Sequence, residues 1–383
     1  MIRRWLARGL PLLLLVLAGV PSSPAVAAEA EAVAPLPPTP AIGVLLPLTG
    51  RFAPYGQLVL RGIELARATT PAANGVRFLY HDTAGDGATA ERLIDEFAGN
   101  PEVLAAIGPL TSGEAPQATA RAAARDLPLL LLAPRDGTTG SARGVFRLAL
   151  TAEAQVQAVA GHAVQALGLR RFAVLAPANR QGERYAELFQ AEIERLGGRL
   201  VIRHSYAPEA VDLREDLQKL AKALHAAGGA EALFLPDDPR QIGQIAPQLG
   251  FARLDQLQLL GIASWRTPEL TRLAGPNLEG ALLADRFCPD RALPPVATFM
   301  AAFRSRYGSD PTSFDAFGFD SASLLLTTLT NPAVHERAKL AQALAAGLDY
   351  TGATGAIRFA PDGELSPPLC LLQVQGGAFV VLN

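Results

Sequence analysis

The chain has 383 residues, room for two domains of ordinary size. Apolar residues make up 49% and charged residues 18%, which supplies core material and excludes a globally disordered chain. Lys and Arg total 34 against 36 Asp and Glu, so no basic surplus exists to neutralise a phosphate backbone, and the charge argues against nucleic acid as a partner.

Residues 1–27 read as an export signal. Arg3, Arg4 and Arg8 precede the apolar run 9–20, Pro21 to Pro24 break it, and Ala25-Val26-Ala27 is a small-x-small cleavage site. The run is shorter than a bilayer span, and the competing reading is a membrane anchor. Val20 stands where a lipoprotein signal needs Cys, so lipid attachment is not expected. The expected location is therefore the periplasm. Residues 28–40, with Pro at 35, 37, 38 and 40, read as an extended linker.

From Ala41 the pattern alternates strand and helix. Strands are expected over 42–47, 76–82, 103–108, 129–133 and 145–148, with helices over 54–69, 87–99 and 113–125. The series then restarts. Helices are expected over 152–168, 181–196, 211–227 and 239–250, and strands over 172–176, 199–205, 231–235 and 257–260. Helices over 294–307, 313–331 and 336–346 follow, and short strands near 355–359, 370–374 and 378–382 close the chain. The fold class is α/β, with two doubly wound parallel-sheet layers and a cleft beyond the carboxyl ends of their strands. Cys288 and Cys370 are the two cysteines. An oxidising compartment permits a bridge, but no spacing brings the pair together. The five histidines form no i, i+4 pair, and no metal or cofactor is expected.

Several residues are suited to a ligand at that cleft. Gly108-Pro-Leu-Thr-Ser-Gly113 joins a strand to a helix and offers the hydroxyls of Thr111 and Ser112 beside free N–H groups, a seat for carboxylate or phosphate; plain helix capping is the competing reading. Glu114 follows and would repel an anion if it faced the cleft. The loop from Ala133 to Gly137 supplies backbone at Ala133 and a guanidinium at Arg135, again against the alternative of a solvated turn. Tyr55 and Trp265 are amphipathic aromatics that either line a pocket or pack in its wall. No Gly-x-Ser-x-Gly elbow, Walker loop or dinucleotide fingerprint is present, and no catalytic activity is expected.

Ile42-Gly-Val-Leu-Leu-Pro-Leu-Thr-Gly50, Ala53-Pro-Tyr-Gly56 and Arg61-Gly62-Ile-Glu-Leu-Ala66 together resemble the opening of type I periplasmic binding proteins of the leucine-binding kind. Asp82, Ile107–Gly113, Leu132-Ala-Pro134, Val145-Phe-Arg147, Phe303…Tyr307-Gly308, Phe314-Asp315-Ala316 and Gly352…Gly363 continue the resemblance. It implies three hinge crossings, with lobe I at 41–149 plus 286–350 and lobe II at 150–285 plus 351–383. Within the family, Val44…Arg51, Gly261-Ile-Ala-Ser-Trp265 and Glu279-Gly280…Asp285-Arg-Phe287 resemble the penicillin-binding-protein activators. That branch implies a regulator of peptidoglycan synthesis whose partner is a penicillin-binding protein. The alternative is an ABC-transporter substrate-binding protein for amino acids or related small carboxylates, partnered by a permease. The family's amino-acid clamp is only partly matched. Its aromatic before the first helix of lobe II is replaced around Asn179-Arg-Gln181-Gly182, Asp237 stands at another aromatic position, and Ala263-Ser264 lacks the acid that would pair an ammonium. A buried ammonium without a counter-charge costs several kcal/mol, and Asp237 or Asp238 is the substitute at hand.

Overall fold

The computed structural model describes residues 39–70, 75–134, 139, 143–208, 210–289, 293–347, 350–365 and 369–382. The expected signal peptide, nearly all of the linker, and Arg135 lie outside the described residues.

The first series runs β1 (Ala41–Leu46), α1 (Ala53–Thr69), β2 (Arg77–Asp82), α2 (Gly87–Gly99), β3 (Val103–Ile107), α3 (Ala115–Ala124), β4 (Leu129–Leu131) and β5 (Val145–Arg147). Its strands form one parallel sheet in the order β2-β1-β3-β4-β5. β1 and β3 are buried along their whole length, as apolar runs in a sheet covered on both faces should be; β2, at the edge, is half-buried.

The second series runs α4 (Ala152–Gly161), β6 (Arg171–Pro177), α5 (Arg180–Arg195), β7 (Arg199–Tyr206), α6 (Arg214–Ala226), β8 (Ala232–Phe234), α7 (Pro239–Ile245), β9 (Gln258–Leu260), α8 (Pro268–Ala274) and β10 (Leu282–Asp285). The strand order β7-β6-β8-β9-β10 repeats that of the first sheet. Then come α9 (Pro294–Tyr307), α10 (Ser313–Leu329), α11 (Arg337–Ala345), β11 (Tyr350–Gly352), β12 (Gly355–Ile357), β13 (Cys370–Gln375) and β14 (Ala378–Val381). β13 pairs antiparallel with β10, and β14 with β13, so the second sheet ends in two reversed strands. Each sheet with its helices is a lobe. In both lobes the strand order reverses beside the first strand, and the carboxyl ends there are where ligands of such sheets bind.

Three details differ from expectation. α6 starts at Arg214 rather than 211, because the Gln248 side chain accepts the Leu213 N–H at 3.0 Å and donates to the Val211 carbonyl at 3.1 Å, docking that segment outside the helix. α8, β10 and β11 were not expected at all. The third difference concerns residues 350–365, which were expected mostly in lobe II. Ile357 and Phe359 lie in the core of lobe I with Phe146 and Leu324, the Phe146 and Phe359 rings are 5.1 Å apart, and Gly363 accepts the Arg147 N–H at 2.8 Å. The chain returns to lobe II only between Leu365 and Cys370.

Helices α1 and α10 pack at backbone contact. A Cβ on Gly62 would stand 2.0 Å from the Asp315 carbonyl oxygen, and one on Gly318 would stand 2.1 Å from that of Val59. Beside this crossing Arg61 forks onto Asp315, with Nε–Oδ1 at 2.9 Å and Nη2–Oδ2 at 3.0 Å. The contact fixes the start of α10, and with it Phe314, against the start of α1.

Candidate functional site

The lobe I wall begins where β1 ends. Asp82 accepts the N–H groups of Leu48 at 2.7 Å, Thr49 at 3.2 Å and Ala84 at 2.8 Å, and the Thr49 hydroxyl at 2.5 Å. Burial works against the charge, but the Thr49 hydroxyl and these N–H groups outweigh it and hold the Asp82 carboxyl below its usual range. The loop so fixed turns into α1, which approaches so closely that a Cβ on Gly56 would meet the Pro47 carbonyl at 2.0 Å. Tyr55 sits in this first turn, half-buried, its ring 5.2 Å from that of Phe314. Burial first, then the charges of Asp238 and Glu269, push its hydroxyl above the ordinary pKa. Both acids belong to lobe II, so their charges reach Tyr55 from the other lobe.

At the end of β3 the expected anion seat is altered by Glu114. Glu114 is fully buried, and its Oε2 takes the Thr111 N–H at 2.9 Å. Thr111 is buried too, and its hydroxyl oxygen and Glu114 Oε1 have no hydrogen-bond partner. This is the reach-back half of a capping box, and it puts a carboxylate where an anionic ligand was expected. Ser112 remains exposed at the rim. At the end of β4, Ala133 is buried and its carbonyl accepts Arg147 Nη1 at 2.6 Å. Arg147 is itself fully buried, and its Nε donates to Glu364 Oε2 at 2.8 Å; Glu364 in turn accepts the Thr139 hydroxyl. The loop after β4 is thus tied from beneath by the 360–365 segment. Nothing in the local sequence around Arg147 signals this role.

The lobe II wall begins at the end of β6. Asn179 caps α5 by accepting the Gly182 N–H at 2.9 Å, and Gln181 is exposed in the first turn. At the end of β8, Asp237 is half-buried and accepts the Tyr206 hydroxyl and, at 2.7 Å, the Asp238 N–H. Burial raises the Asp237 pKa most, the Tyr206 hydroxyl and Asp238 N–H oppose it, and the Asp238 charge adds to it. Asp237 is therefore occupied inside the lobe. Asp238 is exposed and caps α7 through the Gln241 N–H at 3.0 Å. Glu269 is exposed in the first turn of α8.

Trp265 is fully buried and packs as a wall residue rather than as a lining ring. Its Nε1 donates to the Asp237 carbonyl at 3.2 Å, and the indole fills the space that a Cβ on Gly261 would occupy at 2.5 Å. Behind it Gln155 accepts the Ala263 N–H at 2.8 Å and donates to the Tyr185 hydroxyl at 3.2 Å. Of the residues expected at the site, Tyr55, Ser112 and Gln181 reach the rim, Ala133, Asp237 and Trp265 support it from within, and Thr111 turns inward. Asp238 and Glu269 are the lobe II acids whose charges act on Tyr55. Among the described residues no group of three or more His, Cys, Asp or Glu is placed to hold a metal, and no helix is long and apolar enough to cross a membrane.

Comparison with known proteins gives a family. The model of the periplasmic binding protein family matches residues 39–378. A Leu/Ile/Val-binding protein homolog from Brucella melitensis is 23% identical over 336 residues, covering 85% of this chain and 89% of the relative. The branched-chain amino acid transporter substrate-binding protein LivJ of Streptococcus pneumoniae, solved with isoleucine, superposes with a TM-score of 0.77 at 20% identity, over 90% of this chain and 99% of that one. A solute-binding protein of an ABC transporter from R. palustris, solved with benzoate, gives 0.75 at 20% identity, over 89% and 95%. Two sheets of the same strand order, the returning strands β13 and β14, and a family match over nearly all the described residues agree: the chain belongs to the periplasmic binding protein family, type I, of the leucine-binding kind.

Proposed function

We propose that the protein is a non-catalytic, exported substrate-binding component of an ABC importer, closing its two lobes on a small ligand that carries a carboxylate, an amino group or both. The observation that carries this reading is the position of Tyr55 in lobe I, within electrostatic reach of Asp238 and Glu269 at two helix starts of lobe II. A cleft closed by an aromatic on one side and carboxylates on the other suits a small ligand with a cationic end. The amino group of an amino acid then pairs with Asp238 and Glu269 rather than with Asp237, whose carboxylate Tyr206 already engages. The ligand's carboxylate is assigned to the Ser112 hydroxyl, exposed outside the buried Glu114 carboxylate, and Gln181 is the exposed group at the start of α5 in the other lobe. The relatives solved with isoleucine and with benzoate support small carboxylates as the ligand class. The relatives described above are named as binding proteins of leucine, isoleucine, valine or ABC-transporter solutes, which favours this reading over regulation of a penicillin-binding protein, the other role that the opening motif suggests.

Calorimetry with L-leucine, L-isoleucine and benzoate tests the reading. Asp238→Asn keeps the helix cap and removes the charge, since Asn caps as well as Asp. Amino-acid affinity is expected to fall at least tenfold in this variant, with benzoate binding not weakened. Absence of heat with all three ligands, together with retention of a peptidoglycan synthase from periplasmic extract, would overturn it.

A further inference from the structure

Three stretches join the lobes: residues 148–151 between β5 and α4, the stretch that leaves β10 after Asp285, and the stretch that enters β13 at Cys370. The second leaves beside the point where the third enters, because Asp285 and Cys370 are partners in the antiparallel ladder of β10 and β13. A disulfide joins Cys288 to Cys370 across this pair, 82 residues apart in sequence, with Cα atoms 6.1 Å apart. Both cysteines are buried. The bond therefore closes a loop that holds α9, α10, α11, β11 and β12, the whole returning part of lobe I.

A polar hub sits at the same level. Asp285 is fully buried; its Oδ2 accepts Arg266 Nη1 at 3.1 Å and the Ser313 hydroxyl, and its Oδ1 accepts the Arg286 N–H at 2.7 Å. Arg266 also donates to the Phe287 carbonyl, and its guanidinium lies 4.7 Å from the centre of the Phe287 ring. Arg266 directly follows Trp265 in the lobe II wall, and Ser313 directly precedes Phe314, which packs on Tyr55 in the lobe I wall. One carboxylate thus links a wall residue's neighbour in each lobe to the crossing itself. The first crossing has no covalent tie: the Gln155 amide reaches the Leu150 and Thr151 carbonyls at 3.4 and 3.3 Å.

We propose that the Cys288–Cys370 bond and the Asp285 hub make a clamped hinge, which lets the lobes swing about the joined crossings while suppressing twist and sliding between them, so that the ligand-free protein samples a narrow range of lobe separations. A hinge with less freedom to lose leaves less ordering cost to closure and favours binding. The inference rests on the two-lobe architecture and needs no ligand, so its failure leaves the transport reading standing.

The test is electron–electron distance measurement on ligand-free protein spin-labelled at Ala120→Cys in α3 and Glu187→Cys in α5, both exposed. In the background of Cys288→Ser with Cys370→Ser, and again of Cys288→Val with Cys370→Val, the distance distribution is expected to widen at least twofold. An unchanged width overturns the proposal. If neither pair folds, hydrogen exchange of the wild type with and without a phosphine reductant decides. At least tenfold faster exchange confined to amides near 282–288 and 370–374 supports the clamp, and uniform acceleration through both lobes overturns it.

Discussion

Asp320 lies inside α10 with no solvent exposure, and its carboxylate holds the turn between β11 and β12. It accepts the Ala353 N–H at 2.6 Å, the Thr354 N–H at 2.8 Å and the Thr354 hydroxyl at 2.6 Å. Burial is the largest influence and raises the pKa; the Thr354 and Ala353 donors and the Arg286 charge pull the other way, and the outcome is a group pushed up to about 6. The unfolded chain titrates the same carboxyl near its ordinary 3.8. The folded protein therefore holds this proton more tightly, and the stabilisation is complete below pH 4 and lost as the pH rises through 6. At about 1.4 kcal/mol for each pKa unit, lowering the pH from 7.5 to 4.5 should add about 2 kcal/mol through this group. Asp82 and Glu231, whose pKa values are depressed, act in the opposite sense and only near and below pH 4. Urea unfolding at both pH values, for the wild type and for Asp320→Asn, isolates the contribution. The wild type should gain about 2 kcal/mol more than the variant on acidification. Equal gains, or a carboxyl carbon resonance of Asp320 that titrates below pH 4.5, would refute the reasoning.

Two further perturbations probe the frame of the site. Gly318→Ala should destabilise the fold by about 1–3 kcal/mol, because the new methyl meets the Val59 carbonyl; helix propensity alone gives the opposite sign, so a thermally stabilised variant would sink the close crossing of α1 and α10. Arg147→Met should cost about 1–3 kcal/mol in chemical unfolding, since it leaves the Ala133 carbonyl without its donor and breaks the ion pair to part-exposed Glu364; a loss under about 0.5 kcal/mol would show that the loop after β4 needs no support from Arg147.

Much of the architecture is legible in the chain because it is periodic and local. The alternation from Ala41 to Leu260 places every strand and helix of the two repeats except α8 and β10, which lie beyond it, since parallel strands buried on both faces must be short apolar runs and their helices must show one apolar stripe. β10 escapes because its apolar run, Leu282–Asp285, is short and follows a turn rather than a helix with a clear stripe. The place where the chain leaves lobe I for the last time escapes for another reason. Residues 350–365 hold no continuous apolar run, and a contact that decides their lobe is Phe359 on Phe146, far away in sequence.

The site is legible as a set of loops, and much less as a set of charges. Strand ends locate Tyr55, Ser112, Gln181 and the two aspartates after β8, because a doubly wound sheet has one end where its helices start. Which of those groups faces a ligand depends on what lies behind them. The Thr-x-x-Glu spacing at Thr111 and Glu114 is a visible capping signal, but the burial of Glu114 is set by its packing beneath α3. Asp237 and Asp238 are adjacent and chemically identical in the sequence; Tyr206, at the end of β7 two strands away, binds one, and the other stays exposed. Trp265 follows the same logic. An aromatic at a strand end reads equally as a pocket wall or as core, and Gly261 four residues earlier, which leaves the volume its indole fills, decides for core. Long-range partners choose among locally equivalent residues: Tyr206 engages Asp237 inside the lobe and Gly261 seats Trp265 in the core, while Asp238 and Glu269 stay exposed.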